Sequence, residues 1–65
     1  MFGFSQEVEN VAAQILQYVT ENGRVMADES GPICDSVEFE VSFEAAARGY
    51  ENSDEIGRAA RDMVR

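Results

Sequence analysis

Between Ser5 and Asn22 the apolar residues Val8, Val11, Ala12, Ile15, Leu16 and Val19 return every third or fourth position. That spacing places them on one stripe and predicts an amphipathic helix. Ser5 stands where a hydroxyl caps the first turn, and Glu7 where the helix dipole favours an anion. Asn22-Gly23 is a stop signal. Arg24-Val25-Met26-Ala27 reads as a short strand, and Asp28-Glu29-Ser30-Gly31-Pro32 as turn chemistry. The period then changes to two: Val37, Phe39, Val41 and Phe43 alternate with Glu38, Glu40 and Ser42. Alternation of β-formers with polar residues predicts a strand with one buried face. Its other face would present Ser36, Glu38, Glu40, Ser42 and Glu44 to water.

Ala45-Ala46-Ala47-Arg48, closed by Gly49, reads either as a short helix or as an extension of that strand toward Tyr50. Asn52 followed three residues later by Glu55 announces a last helix, striped by Ile56, Ala59, Ala60, Met63 and Val64. Asp54 and Glu55 early and Arg61 and Arg65 late match its dipole, and Asp54 and Arg58 are ordered for an i,i+4 pair. The expected architecture is α+β: one small domain over residues 1–65, with a helix, a β-hairpin and a helix in that order. A third strand or a short extra helix is left open at 43–49. Two helices on one face of a small antiparallel sheet would bury both stripes and the Val37–Phe43 row together. Two strands alone make a marginal sheet, so a third strand, a second copy or a partner is expected to complete it.

Composition narrows what such a domain can do. The chain has 65 residues, thirteen acids against five bases, no histidine and one cysteine, for a formal charge of −8. Every base is an arginine. No basic surface is available for gripping phosphates, so direct nucleic-acid binding is not expected. Zinc fingers, haem attachment, iron–sulfur sites and histidine-based triads lie outside this inventory, as does an internal disulfide. No apolar run is long enough to span a bilayer, and the amino-terminal residues lack the pattern of a secretory signal. The expected compartment is the cytoplasm, where the lone thiol of Cys34 stays reduced.

Candidate chemistry is equally sparse. Cys34 has no histidine to activate it, and the neighbouring Asp35 disfavours its thiolate. The run Asp28-Glu29-Ser30-Gly31 lacks the alternating oxygen ligands of a calcium-binding loop. Glu38 and Glu40, about 7 Å apart on a strand, fit a glycosidase pair only if a deep cleft surrounds them. No enzymatic activity, cofactor or metal is therefore expected. The apolar residues Phe2 and Phe4 precede the first helix and form either an exposed hook or part of the core.

Charge is distributed unevenly. Residues 44–65 carry five acids against four arginines, so −7 of the −8 belongs to residues 1–43. With Glu38 and Glu40 on a solvent face near Asp28, Glu29 and Asp35, the hairpin would become a concentrated anionic patch. Carboxylates held on a rigid sheet can occupy a groove built for phosphates and are steered toward basic surfaces.

Two local resemblances carry no function across. Ile15 to Val25 resembles the opening of winged-helix domains, but an acidic turn follows where a basic recognition helix belongs. The element order is similar to that of double-stranded RNA-binding domains, but Asp54 and Glu55 stand where that family has lysines. In size and acidity the chain is similar to phage-encoded inhibitors such as anti-CRISPR and anti-restriction proteins. That resemblance implies a non-enzymatic inhibitor that meets the basic surface of a nucleic-acid-binding protein through Asp28, Glu29, Asp35, Glu38 and Glu40. A second reading is a dimerising structural or assembly module, formed through an exposed helix stripe or sheet edge, whose acidity serves solubility.

Overall fold

The computed structural model describes residues 3–65. The order is α1 (Gln6–Glu21), β1 (Ala27–Asp28), β2 (Gly31–Pro32), α2 (Cys34–Ala47) and α3 (Ser53–Met63). The expected helix–hairpin–helix domain is present, and the region left open at 43–49 is helical.

The first helix forms as its pattern dictates. Ser5 Oγ accepts the Val8 N–H at 3.1 Å, and Val8, Ala12, Ile15 and Val19 are buried along one stripe. α1 and α2 end in the same way, with glycine in the left-handed region, φ 70° at Gly23 and 94° at Gly49. The Arg24 N–H reaches the Val19 carbonyl at 2.9 Å, and the Tyr50 N–H reaches that of Ala45 at 3.0 Å. These six-to-one hydrogen bonds satisfy carbonyls that the helix itself leaves open.

The strand expected at Val37–Phe43 is corrected: the segment lies inside α2. Its alternating pattern is two rows of four-residue spacing on opposite sides of one helix. Val37, Val41 and Ala45 face inward and are wholly buried, while Phe39 and Phe43 face outward, 66% and 61% exposed. A strand would have sent all four large residues the same way. The helix wins because its inward row continues through Ala45, in a run of strong helix formers, and fits the stripes of α1 and α3. The hairpin therefore comes from residues assigned to the turn and its edge. Ala27 pairs with Pro32 and Asp28 with Gly31, with Glu29 and Ser30 at the tip. The Ser30 N–H is held by Asp28 Oδ1 at 2.8 Å.

A two-residue pairing cannot serve as a platform, so the helices bury their apolar stripes on one another rather than on a sheet face. The core contains Val8, Ala12, Ile15, Val19, Val37, Val41, Ala45, Ile56, Ala59 and Ala60, with Phe4, Val11, Leu16, Val25 and Val64 partly buried around it. Phe2 lies outside the described residues. Among those described, the fully buried side chains are all valine, alanine or isoleucine. The molecule measures 31 × 28 × 15 Å, so its thinnest direction is about two helix backbones deep.

Gly57 sets the spacing between α2 and α3. A Cβ there would collide with Ser42 Oγ and stand 2.8 Å from the Glu38 carbonyl oxygen, part of the α2 backbone. Gly57→Ala is expected to lower stability by about 1–3 kcal/mol through overpacking, outweighing alanine's advantage in an open helix. Urea titration checks this: a midpoint equal to or above that of the parent chain would mean that the two helices stand further apart.

Candidate docking surface

The outward side of α2 is built from Phe39 and Phe43, one turn apart, with ring centroids 6.3 Å apart and planes inclined by 19°. Ser36 lies a turn earlier, and its Oγ accepts the Met26 N–H at 2.9 Å. That bond anchors the base of the hairpin beside the aromatic pair, where Met26 is 67% exposed. Two stacked rings that remain mostly in water are an unusual expense of apolar surface for a small monomer.

Charged side chains flank this face on both sides. On one, Arg24 Nε donates to Glu40 Oε1 at 3.1 Å, and its Nη1 donates to Glu44 Oε1 at 2.8 Å. The same guanidinium lies 6.0 Å from the centre of the Phe43 ring. Arg48 donates to the second Glu44 oxygen at 3.0 Å and covers the Tyr18 ring of α1 at 4.9 Å. On the other flank, Arg61 of α3 reaches Glu38 at 2.7 Å and Asp35 at 3.1 Å. Hydrogen bonds from Arg24 and then Arg48 hold the Glu44 carboxyl below the ordinary glutamate value. Arg24 and Arg61 are raised in turn, chiefly by Glu44 and Glu38 respectively.

The five carboxylates expected to form one anionic patch are not brought together. Glu38 and Glu40 lie on opposite flanks of α2, because two residues along a helix turn through about 200°. Asp35 and Glu38 share Arg61, Glu40 is held by Arg24, and Asp28 and Glu29 sit on the hairpin. The expected Asp54–Arg58 pair does not appear among the ion pairs of the described residues; the α3 arginine that reaches across is Arg61.

On the strand reading Phe39 and Phe43 belong to the buried row, and Arg24, Arg48 and Arg61 lie outside the expected contact set. One available signal was the ladder Glu40, Glu44, Arg48 at four-residue steps, which supports a helix and has no meaning along a strand.

Other surfaces offer less. A cleft of about 240 Å³ is lined by Glu7, Val8, Val11, Tyr50, Asn52 and Ile56, smaller than the usual 300–1,000 Å³ of small-molecule sites. Among the described residues no group of acidic or cysteine side chains is arranged to hold a metal ion. No helix among them is long and apolar enough to cross a membrane. Compared with protein-family models, curated proteins and solved structures, the chain matches none.

Because Glu44 is depressed in the folded state, the stability it supplies is present above the unfolded carboxyl value and is lost as pH falls through the folded one. The stability difference between the parent chain and Glu44→Gln is expected to be largest near neutrality. It should shrink progressively from about pH 5 downward. Urea midpoints measured across this range check it; a difference independent of pH would detach Glu44 from the two arginines.

Proposed function

We propose that this chain is a non-enzymatic protein-interaction module that docks through the outward face of α2, with Phe39 and Phe43 as anchors and Met26 beside them. The observation that carries the reading is the stacked aromatic pair left in water while the core is built from smaller residues. Exposed aromatics with satisfied polar flanks are what a docking surface requires: large apolar area at the centre and a rim whose charges are already hydrogen-bonded. Arg24, Arg48 and Arg61 position that rim. They keep its carboxylates from being buried unpaired when a partner closes over the face. The remaining acids serve solubility and discourage unspecific association. A cytoplasmic setting suits Cys34, which has no partner within the chain for a disulfide.

Of the five carboxylates of phosphate mimicry, aimed at a basic nucleic-acid-binding protein, Asp35, Glu38 and Glu40 are engaged in ion pairs, and among the described residues Asp28 and Glu29 are not. The two mechanisms separate by where a partner touches. A photo-crosslinking phenylalanine analogue (p-benzoylphenylalanine) placed at position 43 is expected to give discrete adducts in cells, and the same analogue at position 29 none. Adducts from position 29 alone would replace docking with the carboxylate reading. The double variant Glu38→Gln, Glu40→Gln is expected to leave the position-43 adducts in place, and adduct formation should survive added salt. Steep loss with salt would again favour mimicry.

A further inference from the structure

We infer that the occupant of the α2 face is a second copy of this chain, the two meeting about a two-fold axis. This rests on the docking reading above and names the partner. The argument comes from where the charge lies. The ion pairs along the two flanks of α2 set Arg24, Arg48 and Arg61 against Asp35, Glu38, Glu40 and Glu44, a net of −1. The rest of the chain carries two arginines, Arg58 and Arg65, against nine carboxylates, a net of −7. Two identical molecules of charge −8 can approach on this face with little local repulsion, while elsewhere like charges hold them apart.

Such a pattern favours a closed pair and opposes further growth. Each flank of α2 contains both signs, so the face is compatible with itself, as an isologous interface requires. A partner chosen by charge alone would instead be expected on the −7 remainder.

Size points the same way. The described core is small, and small cores are often supplemented by association. Among the described residues no aromatic is fully buried, and two of the largest apolar groups wait on one face. A standard interface takes about 800 Å² from each partner, which is about a fifth of this chain's 4199 Å² surface.

Sedimentation equilibrium of the purified chain from about 10 μM to about 1 mM, a range that brackets modest affinities, tests the inference. The mass is expected to rise from 7.2 kDa toward twice that value. Added salt should tighten the dimer by screening the −7 remainders. The variant Phe39→Ser, Phe43→Ser should weaken association at least tenfold, as loss of central anchors does, with helical circular dichroism unchanged because both rings lie outside the core.

A second measurement does not depend on that variant's folding. In a mixture of isotope-labelled and unlabelled chains, magnetisation transfer between molecules should connect the Phe39 and Phe43 rings of different copies. A monomer throughout the concentration range, or a dimer whose intermolecular signals avoid both rings, overturns the inference. If the chain stays monomeric while position 43 still crosslinks to a different protein, docking stands and self-pairing fails. If position 43 gives no adducts at all, the docking reading fails first.

Discussion

The inward row of α2 has to serve two neighbours at once. Val37, Val41 and Ala45 are packed between α1 and α3, and on the α3 side the backbones approach until only glycine fits at position 57. Close approach gives short, branched side chains many neighbours, so a thin molecule can still bury a continuous core. It also fixes the rotation of α2 about its axis. With one row held inward, the residues half a turn away have no freedom to hide, and Phe39 and Phe43 are carried outward by the same geometry.

The arginines make this rotation more specific. Together the three tie α2 to both of its neighbours: Arg24 follows the end of α1, Arg48 covers Tyr18 of α1, and Arg61 projects from α3. Surface ion pairs taken singly contribute little to stability. Their arrangement matters more here than their strength, because Glu38 and Glu40 are drawn to opposite flanks and the strip between them is left to the rings. Acidity and apolar exposure are thereby separated on the surface of one small molecule.

Much of this was legible in the sequence. The stripes of α1 and α3, the Ser5 cap and the glycine stops all emerge from local rules, since each depends on residues within a turn or two. The α2 segment did not, because period-two alternation and two opposed four-residue rows give the same string over Val37–Phe43. Only the continuation into Ala45 and the Glu40–Glu44–Arg48 ladder separate them, and both become visible only past the end of the apparent strand. The expected carboxylate patch failed with it, for side chains two apart share a face on a strand and diverge on a helix. Arg24–Glu44 and Arg61–Glu38 join residues 20 and 23 positions apart, a distance at which no local pattern operates.

Among the described residues the fully buried side chains are valine, alanine and isoleucine, which have few rotatable bonds. Such side chains surrender little rotamer freedom on folding, but they also have few alternative poses with which to absorb a change nearby. Long, unbranched residues that could reshape themselves around a defect are not among them. Variation in this protein is therefore channelled outward: interior positions admit almost no change of volume, whereas the rings on α2 can be exchanged for other side chains without disturbing the scaffold that displays them.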